Sequence, residues 1–315
     1  MPFVTAFYRA LGTGMVISVD SPIDDKVRSA MESLIEDYEH VLSRFRNDSL
    51  IAAIGKAEHG GSFDFPDWCA PLFDLYDALF SATSSAIDPC VGEDLIRLGY
   101  DASLSFTVTQ DAPEHLGALR GRAVWGRDVT RHGTTLVTHE PVQLDFGACG
   151  KGYLVDLLGR MLQSSQFVID AGGDLLIHAE QPISVALEDP EDQSHAIGIA
   201  HIANGALCAS APSRRHWNVA VNERTQIAIH HLLNAIDGLP AQQTEASWAY
   251  IPANATLNLA RDYPTAVADG LATALFVSDV AQLQRTFDFT YATLDESRQI
   301  AVSRNFPAEL FLRSA

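Results

Sequence analysis

Asp269 and Thr273 stand four residues apart in VADGLATALFV, so on a helix their side-chain oxygens share one face. A carboxylate beside a hydroxyl is a hard-oxygen pair of the kind Mg2+ takes, leaving further positions for water or phosphate oxygens. An Asp near a helix start also has a plainer use in complementing the helix dipole. Gly270, unfavourable inside a helix by ~1 kcal/mol, points to a close backbone approach. A second candidate is LDFGACGKGYLVD, Leu144 to Asp156, where a Gly-rich turn and Lys151 precede an apolar-striped helix whose first amides favour an anion. It is no Walker loop: Asp145 stands where that pattern needs its first Gly, and Gly152 where it needs Ser or Thr. An ordinary strand, turn and helix carrying a surface Lys is the alternative. Third come His230 and His231, which on a strand point to opposite faces, so at most one of them addresses a given site. A surface histidine beside a satisfied buried one explains the pair equally simply. HExxH, GxSxG and GxGxxG do not occur.

Charge limits what such residues can serve. Lys plus Arg number 21 against 40 Asp plus Glu, a formal charge of −19, and such a surface repels a nucleic-acid backbone. An anionic small ligand would need a local cation, a metal ion or a placed Lys. Cys69, Cys90, Cys149 and Cys208 lack any CxxC or zinc spacing and read as mostly free thiols, with disulfides left open. No segment approaches ~20 uninterrupted apolar residues, and the first residues lack a basic stretch followed by a long apolar run. As written the chain reads as cytoplasmic and without a membrane segment; removal of a leader would make it exported.

The elements that must position these residues follow from periodicity. Gly14 to Val19 alternates as a strand, and Ile23 to Phe45 carries Val27, Met31, Leu34, Ile35, Tyr38, Val41 and Leu42 at helical spacing. A second helix is expected over Trp68 to Thr83, and strands between Ala123 and Leu144. Beyond the turn Gly147 to Gly150, a helix carries Leu154, Leu157, Leu158, Met161 and Leu162. Phe167 to Ile169 and Leu175 to Ile177 flank AGGD as a hairpin, short strands fill Ile183 to Ile229, and Thr265 to Val277 is helical with Thr265 as N-cap. Strands and helices mix without βαβ regularity, which gives an α+β class, and no linker composition interrupts residues 1–315, read as a single domain.

Taken in order, these fragments resemble the ApbE family of FAD:protein FMN transferases over nearly the whole chain. LDFGACGKGYLVD is similar to its LDLGGIAKGYAVD signature and VADGLATALFV to its DALATAL helix. ALGTGMVISV, LSRFRNDSLIAAIG, AIDPCVGEDLIRLGYD, VIDAGGDLLIHA, LCASAPSRRHW and HLLNAIDGLP resemble, in turn, its MGT strand, SxF segment, FDPTVGPL segment, NIGGDI hairpin, TSGxYxR strand and HIIDPxTGxP stretch. The resemblance implies the ApbE-type T-fold, with mixed antiparallel sheets, packed helices and FAD as substrate. It assigns Asp145 and Lys151 to FAD contact together with Ala86, Ile87 and Asp88, and more loosely Leu11, Phe45 and Leu233. It gives Mg2+ the Ala148 carbonyl, Asp269 and Thr273, and gives transfer to His231, with Asp145 as second candidate for the base.

By the same resemblance Mg2+ assists cleavage of the FAD pyrophosphate, AMP departs, and FMN passes to a Ser or Thr hydroxyl of an acceptor flavoprotein subunit. The sequence departs from the family at Asn234, Ala235 and Asp237, where Asp, Pro and Thr are usual, at Ala211 and Gly55, at Leu11 in place of Met, and at Ser84-Ser85 in place of a Gly-rich step. The run Pro252 to Pro264 is longer than usual. Two other activities fit the same residues: a pyrophosphatase that gives FMN and AMP with water as nucleophile, and a noncatalytic FAD-binding maturation protein.

Overall fold

Met15, Ile17 and Val19 are buried and alternate with Val16 and Ser18 in the strand Met15–Val19, the period-two pattern of a half-buried strand. The computed structural model that places it describes residues 1–8, 10–222 and 225–311. The chain falls into two compact units, each made of discontinuous segments. The first comprises Met1–Glu36, Ala148–Ser213 and Gln242–Ala315. Its nine-stranded sheet runs in the order Phe3–Phe7, Met15–Val19, Phe167–Asp170, Asp174–Glu188, Ala196–Ser210, Thr244–Pro252, Thr290–Asp295, Ile300–Val302, with Ala308–Leu310 also pairing Ala196–Ser210. Every pairing in it is antiparallel. The AGGD hairpin turns through left-handed Gly172 (φ 72°) and Gly173 (φ 108°), whose amides both donate to Asp170.

The helix Pro264–Ala274 packs on the strands Ala196–Ser210 and Thr244–Pro252 and is buried on nearly every side. Alanines and Gly270 permit that depth. A Cβ on Gly152 would come within 2.3 Å of the Thr265 carbonyl, so the helix Gly147–Gly159 meets this helix backbone to backbone. Two local expectations are corrected here. Thr265 is not the N-cap: the helix opens one residue earlier at Pro264, whose missing N–H suits a first helical position, and Thr265 is fully buried. Asp156 does the capping instead, accepting from the amides of Thr265 at 3.1 Å and Ala266 at 2.8 Å. Nor do Gly147 to Gly150 form a turn before a helix; they are its first turn.

The second unit comprises Asp37–Gly147 and Arg214–Ala241. It contains the helices Leu50–Lys56, Ala70–Ala82 and Gly92–Arg97, and a three-stranded antiparallel sheet ordered Gly61–Asp64, Thr135–Thr138, Val129–His132. The short ribbons His216–Asn222 with Thr225–His230 and Leu233–Asn234 with Leu239–Pro240 belong to it as well. Phe65, Phe73, Tyr76, Trp125 and Phe146 form its aromatic centre through edge and tilted contacts. A fully buried ion cluster sits in the same unit: the Arg122 side chain reaches Asp94 at 2.8 Å and Asp88 at 3.5 Å, and donates to the Ala235 carbonyl at 2.7 Å. All four cysteines are free and buried. Among the described residues no helix is long and apolar enough to cross a membrane.

Candidate functional site

In the first unit, the two helices that meet at Gly152 bring Lys151 and Asp269 together. The Lys151 ammonium donates to both oxygens of Asp269, at 3.1 and 3.3 Å, and lies 2.9 Å from Asp174, the last residue of the AGGD turn. The Gly152 amide adds a bond to Asp269 at 3.0 Å. Burial pushes the Asp269 carboxyl up to about 7, and the neighbouring Asp174 charge adds to that rise while Lys151 opposes it. Burial alone would lower Lys151, but Asp174 and Asp269 outweigh it and hold the ammonium above its ordinary value. Its side chain is 31% exposed. Asp174 is 1% exposed, and its Oδ1 has no hydrogen-bond partner.

One turn along the same face, the Thr273 hydroxyl lies 3.5 Å from the Ala148 carbonyl and 3.5 Å from the Ser210 hydroxyl. The donors offered to a cation are therefore a carbonyl, hydroxyls and buried carboxylates, an all-oxygen set that fits Mg2+. The unpartnered Asp174 oxygen is the second sign that this pocket of charge lacks a positive group. No cluster of three His, Cys, Asp or Glu able to hold a metal occurs among the described residues, so any cation here must draw on the Ala148 and Thr273 oxygens. Asp269 is already bonded to Lys151 and Gly152, and a metal would share that carboxylate with the lysine.

The second unit holds the other assigned residues except Leu11. Asp145 receives the Gly147 amide at 2.6 Å and a very short bond from Arg44 Nε. Both Asp145 carboxylate oxygens are thus engaged. His231 is half-buried, packs edge-on to Tyr100 with ring centroids 6.4 Å apart, and sets Nδ1 3.2 Å from the Arg215 carbonyl. Its neighbour His230 is occupied structurally: Nε2 meets the Ala241 carbonyl at 2.9 Å and Nδ1 accepts from the Leu232 amide at 3.3 Å. Burial lowers its pKa, against the pull of the Ala241 bond.

The remaining assignments differ in how they can act. Phe45 is 42% exposed and offers its ring. Ala86, Ile87 and Leu233 are buried, and the Ala86 carbonyl accepts from the Ala235 amide at 3.0 Å. Asp88 is also inside: its carboxylate serves the Cys90 amide at 2.8 Å, the Trp125 amide at 3.3 Å and Arg122. Leu11, in the first unit, lies in a left-handed turn residue at φ 53° and is half-buried. Sequence reasoning gave no role to Arg44, Arg122, Asp156, Asp174 or Ser210. Asp174 alone carried a signal, as the acid closing the AGGD hairpin.

Comparison with known proteins places this geometry. The family model described as ApbE family matches residues 11–293. A curated FAD:protein FMN transferase of Klebsiella pneumoniae (strain 342) is 23% identical over 274 residues, covering 83% of this chain and 74% of the relative. That of Treponema pallidum (strain Nichols) is 27% identical over 286 residues, covering 80% and 72%. The solved ApbE protein of Thermotoga maritima aligns with a TM-score of 0.79 at 19% identity, covering 98% of this chain and 99% of that one. The flavin transferase ApbE of Vibrio cholerae aligns at 0.76 and 17% identity, covering 96% and 97%. Its mixed helices and antiparallel sheets are those of these structures, and the chain belongs to the ApbE family.

Proposed function

We propose that the chain is an FAD:protein FMN transferase that binds FAD with Mg2+, cleaves its pyrophosphate and joins FMN to a Ser or Thr hydroxyl of an acceptor protein, releasing AMP. The observation that carries this reading is the cation-centred group Lys151, Asp269 and Asp174 beside the oxygens of Ala148 and Thr273. On a protein of charge −19, a pyrophosphate requires local positive charge; Lys151 supplies one cation, and the excess of carboxylate around it, Asp174 and Asp269, suits a second, the metal. Mg2+, when bound through Asp269, Thr273 and the Ala148 carbonyl, supplies Lewis-acid stabilisation of the charge on the phosphate oxygens.

The chain's own residues then do the following. Lys151 binds phosphate oxygens and offsets charge as it shifts to the departing AMP. His231, with Nδ1 engaged by the Arg215 carbonyl, takes the proton of the acceptor hydroxyl at Nε2. The hydroxyl oxygen forms its bond to the FMN phosphorus, the bond from that phosphorus to the bridging oxygen breaks, and AMP leaves with the electron pair. Incubation with FAD and Mg2+, with and without a flavinylation target, tests the reading: flavin covalently attached to the target together with AMP is expected. AMP with free FMN and no flavinylated target would make the chain a pyrophosphatase, and no AMP under either condition would make it a noncatalytic FAD-binding protein.

A further inference from the structure

Arg44 is fixed among Asp145, Tyr100 and Phe45. Its side chain is 7% exposed. Nε donates to the Asp145 carboxylate and Nη1 to the Tyr100 carbonyl, while the guanidinium carbon lies 4.1 Å from the Phe45 ring centroid and 4.7 Å from that of Tyr100. Two bonds and two aromatic faces therefore fix both the position and the plane of the fork. The remaining nitrogen, Nη2, is buried and has no acceptor. A buried donor left without an acceptor forfeits its hydration with no return, so such atoms are rare and mark the place of something that binds.

The surroundings say what that something is. The Asp145 carboxylate neutralises the Arg44 cation locally, so the position does not select a phosphate by charge. The ring of Phe45 is 42% exposed and meets Tyr100 edge-on at 5.4 Å, and Tyr100 in turn stacks on Trp217 at 5.8 Å. A fixed N–H edge beside a flat apolar surface suits a planar heterocycle bearing a carbonyl oxygen. Of the two ring systems in FAD, only the isoalloxazine carries carbonyl oxygens; the adenine has none. We propose that Arg44 binds the isoalloxazine of FAD, donating from Nη2 to a carbonyl of its pyrimidine ring while Phe45 borders the ring face. The proposal rests on the flavin-binding reading above. Arg44 occupies the variable middle place of Ser43-Arg44-Phe45, so the motif itself assigns it nothing.

The test uses Arg44→Lys, which retains a cation for Asp145 and loses the Nη2 donor, with affinities for riboflavin, FMN, FAD and AMP measured by calorimetry. Riboflavin, FMN and FAD are expected to bind about ten- to hundredfold more weakly and AMP unchanged, the loss of one hydrogen bond to a charged donor. In the unaltered protein, infrared difference spectra of carbonyl-labelled riboflavin should show one carbonyl stretch lowered on binding. Unchanged flavin affinity in Arg44→Lys overturns the proposal, as does weakened AMP with riboflavin unaffected. Should Arg44→Lys fail to fold, as judged by its melting curve, the spectra of the unaltered protein decide alone, and unshifted carbonyls overturn the assignment. A native chain that binds no flavin at all overturns the functional reading with it, whereas flavin binding that ignores Arg44 overturns only this inference.

Discussion

His231 is tied twice to Arg215: its amide donates to the Arg215 carbonyl at 3.3 Å, and its Nδ1 lies 3.2 Å from the same oxygen. A carbonyl only accepts, so Nδ1 carries the hydrogen and Nε2 keeps the lone pair. His231→Asn preserves an N–H near the Nδ1 position and removes the base. AMP release is expected to fall by ~10²–10⁴-fold with FAD affinity little changed. Single-turnover kinetics with FAD and a target protein read both quantities, and a loss confined to FAD affinity would assign His231 to binding.

The Lys151 ammonium occupies the carboxylate that a metal would use. Asp269→Asn should therefore weaken Mn2+ binding, measured from the signal of free Mn2+ in electron paramagnetic resonance, by more than ~10-fold, the loss already typical when a group merely supporting a metal ligand is removed. Lys151→Met should strengthen Mn2+ binding in the absence of FAD, because the competing cation is gone, while weakening FAD. Stronger Mn2+ binding by Asp269→Asn would remove Asp269 from the ligand set.

Arg122 is the sole guanidinium paired to both Asp88 and Asp94 in their fully buried cluster among the described residues. Arg122→Met strands two carboxyls inside and is expected to cost ~3–5 kcal/mol in urea unfolding. Burial pushes Asp94 up to about 6, against the opposing pull of Arg122, from an ordinary 3.8. A carboxyl raised in the folded state favours folding most when protonated, so its contribution is full below 3.8 and is lost as pH rises through about 6. Unfolding curves across that window should show a smaller loss in Asp94→Asn than in the native chain.

Ser84 and Ser85 both adopt left-handed backbone, at φ 52° and 73°, at the end of the helix Ala70–Ala82. Left-handed geometry costs a side-chain-bearing residue ~1–2 kcal/mol, and glycine returns part of that gain through the freedom of its unfolded chain. Ser84→Gly and Ser85→Gly are each expected to stabilise the protein by ~0.5–1 kcal/mol in thermal or urea unfolding. A destabilised variant would mean that the hydroxyls hold the turn.

Sequence periodicity located the long elements well because their burial is regular: Met15, Ile17 and Val19 alternate, and the helix of Met31, Ile35, Tyr38 and Leu42 spans Asp25–Leu42. Lys151, Ala148, Asp269 and Thr273 could be singled out because two motifs in order carried them. What stayed hidden depends on partners far along the chain. Arg44 acquires its meaning from Tyr100 and Asp145, separated from it by 56 and 101 residues. Asp156 caps a helix 109 residues later, and Asp88, which the family resemblance assigns to FAD contact, is an internal counter-ion because Arg122 is folded against it. The Thr265 cap failed for the same reason, since a distant carboxylate did the work that local spacing credited to the hydroxyl.

The discontinuous sheet of the first unit bears on how the protein is made. Strand Phe3–Phe7 shares its sheet with Thr290–Asp295, so the first unit cannot be completed until that later strand has been synthesised. The second unit ends at Ala241 and has all its segments earlier. Domains tend to fold as units while the chain is still being synthesised, so the unit carrying Arg44, Asp145 and His231 should acquire protease resistance on chains stalled once Ala241 has cleared the exit tunnel. The unit carrying Lys151 and Asp269 should remain cleavable until Thr290–Asp295 has also emerged.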